Sequence, residues 1–465
     1  MCENGAYRAY ETAEQRSGRF RSVRSAEGSI GERAVRFADH WLYSIVKKEV
    51  FPMALSIPNE SSPRGPGAPP CPACNSEGGF VFHSLKGLPV HSVMNTTSFR
   101  QARDLPVGDI ALSFCNQCGF VSNSTFDEKK VSYSTDNYEA TQACSPTFRM
   151  FAERQARRLI DRHGLSGKRV LEIGCGNGEF LELICRLGDN EGIGFDPSYN
   201  KKNSPVKSDR KISFVKDYFT EKHTGHGADF VMCRMTLEHI HKTGRFVRMV
   251  RSTLGAKSDT TVFFQVPDAT RILRDCAFED VYFEHCSYFS PGSLARLFRR
   301  AGFGIIGLEG GYDGQYVMIE ARPGVADDPS CGAPESDLIS LRAYVRNFAD
   351  RYRRKAASWH ACLRRWRAAQ RRVVLWGAGS KAVSFLTSLG IPPAFIPYAV
   401  DINPHRHGSY IAGTGQRVVG PQYMREYRPS TVIVMNEVYR EEVETMLRDL
   451  GLRPQLVTME SGGAL

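Results

Sequence analysis

Val170-Leu171-Glu172-Ile173-Gly174-Cys175-Gly176-Asn177-Gly178 is a short apolar strand that runs straight into three glycines at alternate positions. Glycine has no Cβ, so such a loop turns tightly and lets a ligand rest against the backbone. A dinucleotide loop reads G-x-G-x-x-G instead, so the spacing alone is a weak signal. Glu172, two residues ahead of the first glycine, sharpens it, because a fixed carboxylate there repels a pyrophosphate and suits a cationic ligand group. Gly178 then opens Glu179-Phe180-Leu181-Glu182-Leu183-Ile184-Cys185, apolar at helical spacing.

Further strands follow at the spacing of a doubly wound sheet. Gly192 to Phe195 reads as a second strand ending at Asp196, whose carboxylate can accept from both hydroxyls of a ribose. Phe214-Val215-Lys216-Asp217 reads as a third strand end, with Asp217 facing an adenine amino group. Ala228 to Cys233 gives a fourth, followed by Leu237-Glu238-His239-Ile240. The plain alternative is an ordinary doubly wound fold with a glycine turn and surface acids. The strand-and-glycine stretch with its trailing acids resembles the class I S-adenosylmethionine-dependent methyltransferases. That resemblance implies a cofactor site lined by Glu172, Gly174, Gly176, Gly178, Asp196 and Asp217.

The chain has 465 residues, enough for two or three domains with their own cores. A hydrophobic fraction of 42% is that of a globular protein. No apolar run is long enough to cross a bilayer, and the first fifty residues lack the apolar centre of a secretory signal, so a cytoplasmic location is expected. The net charge of +11 fits nucleic acid or a smaller anionic substrate such as a nucleotide diphosphate. The thirteen cysteines are odd in number and mostly isolated, which argues against a disulfide framework.

Four of them form two tight pairs, Cys71-Pro72-Ala73-Cys74 and Cys115-Asn116-Gln117-Cys118. Each C-x-x-C knuckle aims two thiolates at one point, and two knuckles supply the four soft ligands of a structural zinc ion. Gly119 eases the second turn. The gap between the knuckles is long enough to hold a hairpin. A redox dithiol is the competing reading, against which the presence of two pairs argues. A fully coordinated zinc would fold this segment and leave no open position for chemistry.

The expected organisation is a polar extension with one possible helix over 1–69, a zinc-binding module over 70–125, a methyltransferase core over 126–323, a long basic amphipathic helix over 335–372 and a Rossmann-like domain over 373–465. The extension includes a Pro/Gly-rich linker over 61–70 and Met53 as a possible translation start. The long helix carries Leu341, Val345, Phe348, Tyr352, Trp359, Leu363 and Trp366 on one face, and on the other Arg351, Arg353, Arg354, Lys355, Arg364, Arg365, Arg367, Arg371 and Arg372. That second face reads as solvated, or as a contact for nucleic acid or a nucleotide diphosphate. Val373 to Trp376 runs into Gly377-Ala378-Gly379-Ser380-Lys381-Ala382, and Asp401 ends a following strand, the dinucleotide spacing with alanine at its last position. Whether this second turn binds a ligand is open between binding and a purely structural role.

Tyr282-Phe283-Glu284-His285-Cys286-Ser287-Tyr288-Phe289 gathers an acid, an imidazole and phenols in eight residues. A neutral imidazole accepts a proton, a carboxylate can orient it, and a phenol can donate to an oxyanion. A loop of packed aromatics around a core histidine is the alternative. With this segment in place, the order of four-cysteine module, Tyr-containing connector, methyltransferase core and C-terminal glycine turn resembles the nucleotide-sugar C-methyltransferases of deoxysugar biosynthesis. The resemblance begins near residue 70 and takes in Val400-Asp401-Ile402-Asn403-Pro404 with His407-Gly408.

It implies an α/β architecture: a class I methyltransferase doubly wound sheet between a small zinc module and a second, Rossmann-like domain. It implies zinc on Cys71, Cys74, Cys115 and Cys118, His285 as the base with Tyr282 and Glu284 beside it, and Tyr138 of the connector reaching the sugar. S-adenosylmethionine is then the cofactor and a nucleotide-linked keto-deoxysugar the substrate, with no membrane partner. An O- or N-methyltransferase, a zinc-containing nucleic-acid-binding protein and a non-catalytic S-adenosylmethionine sensor are the alternatives. The chain lacks the aromatic-basic interleaving of RNA-binding sheets.

Overall fold

The computed structural model describes residues 69–460 apart from 134–136, 140, 207–210, 256–258 and 332–336. The helix expected over 34–51, the possible start at Met53 and nearly all of the 61–70 linker lie outside the described residues.

An antiparallel hairpin, β1 (Phe80–Pro89) and β2 (Val107–Phe114), fills the gap between the cysteine pairs, with the short helix α1 (Phe99–Arg103) at its turn. β3 (Val121–Asn123) adds to β2. Helix α2 (Pro146–His163) begins where Ser145 accepts from Phe148 N and Pro146 presets the first turn, and it ends at left-handed Gly164.

The central sheet is built from β4 (Arg169–Ile173), helix α3 (Glu179–Gly188), β5 (Glu191–Phe195), β6 (Ile212–Val215), β7 (Phe230–Arg234), helix α4 (Thr243–Thr253) and β8 (Thr261–Pro267). After helix α5 (Ala269–Asp275), the two-residue strand β9 (Ser287–Tyr288) leaves this layer. Helix α6 (Pro291–Arg300), β10 (Phe303–Gly311) and β11 (Tyr316–Pro323) return to it. The strand order is β10-β11-β8-β7-β4-β5-β6, parallel except for β11, which runs antiparallel between β8 and β10. The order reverses between β4 and β7, and crevices at such switch points bind ligands. This is the class I methyltransferase α/β fold, as expected.

β9 pairs with β3, Val121 opposite Tyr288 and Ser122 opposite Ser287, and Asn123 N donates to Cys286 O at 2.9 Å. The segment holding His285 therefore forms the fourth strand of the sheet that begins beside the cysteines. Helix α7 (Asp337–Ala368) buries Leu341, Val345, Phe348, Tyr352, Trp359, Leu363 and Trp366. Phe348 meets Phe82 on β1, and Trp359 meets Phe385 on helix α8 (Ser380–Ser388). Its basic face is partly spent inside the protein. Arg351 donates to the carbonyls of Leu273 and Arg274, and Lys355 to that of Cys276 at 3.1 Å. These carbonyls end α5, where a helix lacks internal donors and favours cations.

The last sheet holds β12 (Val373–Trp376), β13 (Tyr398–Val400), β14 (Arg417–Val419), β15 (Thr431–Val434) and β16 (Gln455–Thr458), all parallel in the order β14-β13-β12-β15-β16. Helices α9 (Met424–Tyr427) and α10 (Arg440–Asp449) complete it. Among the described residues no helix is long and apolar enough to cross a membrane.

His83 on β1 is buried against Phe348 and Tyr352, and its Nε2 has no partner. Burial pushes its pKa down to about 4. The folded protein thus keeps His83 neutral while the unfolded chain protonates it near its ordinary value. This contribution to stability is complete above that value and is lost as pH falls toward about 4, amounting to about 3 kcal/mol. His83→Leu is expected to flatten the fall in denaturant midpoint between neutral and acid pH. An unchanged slope would show that His83 is not the group responsible.

Candidate active site

A single cavity of about 1350 Å³ is lined by residues from the β4 loop, the connector, the β9 segment and the β12 turn. At the β4 end, Gly174 and Gly178 both have positive φ. A Cβ on Gly174 would lie 2.0 Å from Thr236 Oγ1, and one on Gly178 would lie 2.4 Å from the Phe214 ring, so neither position has room for a side chain. Asp196, at the end of β5, accepts from Gly176 N at 2.8 Å and from Ser198 N at 2.7 Å. These bonds fix the carboxylate beside the loop.

Glu172 is buried and its Oε2 has no partner. Burial pushes its pKa up to about 8, against the pull of Arg234, which lies over the Phe180 ring. A cationic ligand group would restore its charge. Asp217 lies at the rim of the cavity, where Lys222 contacts it at 2.5 Å and holds its carboxyl below the usual range. The loop, the fixed Asp196 and the unpartnered Glu172 oxygen fit an S-adenosylmethionine molecule.

The β9 segment faces the same cavity. Tyr282 OH lies 2.9 Å from His285 Nε2. Burial, with His239 alongside, keeps the His285 pKa well below its ordinary value, so the imidazole is neutral at physiological pH. Burial also holds the Tyr282 phenol protonated, so in the tautomer whose proton is on Nδ1 the phenol donates to the Nε2 lone pair. His239 packs edge-on to His285, and its Nδ1 is 2.8 Å from Tyr133 OH.

Glu284 is turned toward the β1–β2 segment. Its carboxylate accepts from Ser92 N at 2.8 Å and from Ser92 Oγ, and it meets His91 Nδ1 at 3.1 Å. Burial alone would raise its pKa, but these contacts hold it below the usual carboxylate range. Ser92 Oγ in turn meets Ser380 Oγ at 2.7 Å, which ties the β12 turn to the β9 segment. Tyr138 is packed edge-on to Tyr133.

The β12 turn repeats the geometry of the β4 loop. Asp401 accepts from Ala378 N at 3.0 Å and from Asn403 N at 2.9 Å. Lys381, which opens α8, reaches Asp280 at 2.6 Å and Gln315 at 3.3 Å. Arg406 is buried on the cavity wall with no hydrogen-bond partner on Nε.

Away from the cavity, the Sγ atoms of Cys71, Cys74, Cys115 and Cys118 lie within 4.8 Å of one another. Cys71–Cys118 and Cys74–Cys115 are each 3.7 Å apart. A tetrahedron of sulfurs around zinc has edges of about 3.8 Å, so the donor set fits that ion.

A family model described as a methyltransferase domain matches residues 148–308, and one described as a C-methyltransferase C-terminal domain matches residues 334–453. The chain is 27% identical over 348 residues to the C-methyltransferase NovU of Streptomyces niveus, which covers 71% of this chain and 80% of that protein.

The chain is an S-adenosylmethionine-dependent methyltransferase.

The methyltransferase is also 33% identical over 107 residues to the ubiquinone biosynthesis O-methyltransferase of Escherichia fergusonii, covering 22% of this chain and 43% of that one. Among solved structures, the Burkholderia thailandensis 1,6-didemethyltoxoflavin-N1-methyltransferase aligns with 18% identity and a TM-score of 0.31, covering 37% of this chain and 79% of that one.

The structure brings Glu172, Gly174, Gly176, Asp196, Tyr138, Tyr282, Glu284 and His285 to one cavity, with Asp217 at its edge, while Gly178 stands in the same loop outside the lining. Sequence reasoning assigned no role to Tyr133, Glu238 or His239, although Glu238 and His239 stand in a segment it had marked. It also missed His91 and Ser92, whose polar groups gave no local signal. Asp196→Ala is expected to weaken S-adenosylhomocysteine binding by at least roughly tenfold, the loss of charge-assisted hydrogen bonds. Unchanged affinity in calorimetry would undo the ribose assignment.

Proposed function

We propose that this methyltransferase transfers its methyl group to carbon, on a nucleotide-linked keto-deoxysugar. The observation that carries the reading is the neutral, buried His285, whose Nε2 faces Tyr282 in a cavity continuous with both glycine turns. S-adenosylmethionine, when bound, supplies an electrophilic methyl group. His285 removes a proton from the carbon beside the sugar ketone. Tyr282 then turns its hydroxyl from Nε2 to the enolate oxygen, where developing charge is best stabilised. Glu172 and Asp196 would hold the cofactor, which would supply the methyl group, so positioning is the main demand on the fold. Asp217 contributes at the adenine end.

Glu284 acts by fixing the β9 segment through Ser92 and His91, and Tyr138 contacts the sugar. The β12 turn and Arg406 supply a backbone donor set and a cation suited to a diphosphate. The four cysteines hold a structural zinc ion outside the chemistry.

The test is incubation with methyl-deuterated S-adenosylmethionine and a panel of nucleotide-linked keto-sugars, followed by mass spectrometry. Label located on carbon by fragmentation supports the proposal. Label on oxygen or nitrogen would keep the cofactor and overturn the enolate step.

A further inference from the structure

Glu238 follows β7 in a short turn over 237–239, is 1% exposed, and has no hydrogen-bond partner on either carboxylate oxygen. Its Oε1 lies 4.0 Å from His285 Nε2 on the cavity wall. A buried carboxyl without a partner is costly, and such groups in a native fold call for a use. The other two nearby acids are engaged: Glu284 by Ser92 and His91, and Asp280 by Arg271 and Lys381.

We propose that Glu238 is the positioning counter-charge of His285: its carboxylate stabilises the imidazolium formed when His285 takes the substrate proton. The inference rests on the reading of His285 as the base. In the step, the carbon–hydrogen bond breaks and the proton goes to Nε2. The electron pair stays on the substrate, delocalised onto the ketone oxygen, and Glu238 forms no covalent bond. At 4.0 Å from Nε2 the carboxylate acts on the new cation by charge alone, without a hydrogen bond.

The titratable groups facing Glu238 are Cys233 on β7, His239 on its own turn, Tyr133 of the connector, Tyr282, His285 and Cys286 of the β9 segment, and Tyr316 on β11. Burial holds all of these phenols, thiols and imidazoles in their neutral forms near pH 7, so no fixed cation among them compensates the carboxylate. Burial accordingly pushes Glu238 up to about 8. The productive form, with Glu238 ionised and His285 neutral, therefore grows as pH rises through about 8.

The experiment uses the full chain with S-adenosylhomocysteine, with thymidine-diphospho-4-keto-6-deoxyglucose in deuterated water as the probe. Exchange at the carbon beside the ketone is followed across the pH range. The wild type is expected to show a rising limb near pH 8. Glu238→Gln should lower the exchange rate constant by roughly 100-fold and lose the limb, with the KM for the probe unchanged, while Glu238→Asp keeps the limb. A Glu238→Gln enzyme that keeps the limb overturns the proposal, whether its rate is normal or uniformly reduced.

Nitrogen-15 resonances of the histidines give a readout that needs no exchange. The His285 nitrogen shifts should show a step near pH 8 in the wild type, as Glu238 ionises beside the ring, and the step should vanish in Glu238→Gln; its persistence overturns the pairing. Failure of the base reading is separate: it shows as exchange that survives His285→Asn.

Discussion

His285→Ala is expected to abolish methyl transfer while S-adenosylmethionine still binds. The loss should reach roughly 10²- to 10⁴-fold, the usual worth of a positioned general base. The cofactor loop is built on β4 and β5, and its anchoring bonds run from Gly176 and Ser198 to Asp196, none of which involves His285. His285 instead sits on the β9 segment with its basic nitrogen against Tyr282. Calorimetry with S-adenosylhomocysteine and a transfer assay on the same preparation separate the two effects. Retained turnover would remove His285 as the base, and lost cofactor binding would show that the substitution had damaged the cavity as a whole.

Removing the proposed zinc ion, by Cys74→Ser or by a strong chelator, is expected to be as severe by a different route. Structural zinc sites contribute about 10–16 kcal/mol of apparent binding energy that is also folding energy. Cys71, Cys115 and Cys118 pack with Phe120, Phe289, Leu294 and Phe298 in one apolar cluster. The cysteines are thus joined to the body of the central fold. β3, just beyond the second knuckle, is the strand that holds β9. Loss of zinc should therefore lower the thermal midpoint and release the segment around His285, ending transfer. Metal content by plasma mass spectrometry, thermal melts and activity, measured together, test the chain of events. A metal-free wild type that is fully folded would defeat the zinc assignment.

The parts of this molecule legible in its sequence are those whose chemistry is local. The glycine loop, Asp196 and the two C-x-x-C pairs each carry their meaning in residue type and short spacing, and the strand pattern around them gives the doubly wound sheet. What depends on chain-distant pairing was not legible. Glu284 stands next to His285 in sequence, which suggested a shared role, yet its carboxylate is taken by Ser92 and His91. Glu238 carries no local mark of its proximity to His285; only the packing of the turn over 237–239 against the β9 segment creates it. Arg351 and Lys355 read as surface charge on a helix until the end of α5 is placed beneath them. Lys381, at the start of a helix suited to anions, is met instead by Asp280.

The pairing of β3 with β9 also bears on the order in which the chain can be assembled. As the protein emerges from the ribosome, the first hairpin and β3 are complete long before Ser287 and Tyr288 exist. Until then β3 is an open edge, with unpaired backbone groups able to join another chain. A contact so distant in sequence forms late and slowly. Nascent or truncated chains that stop before β9 would thus be the aggregation-prone species, and the strand that brings His285 into place is also the one that closes this edge.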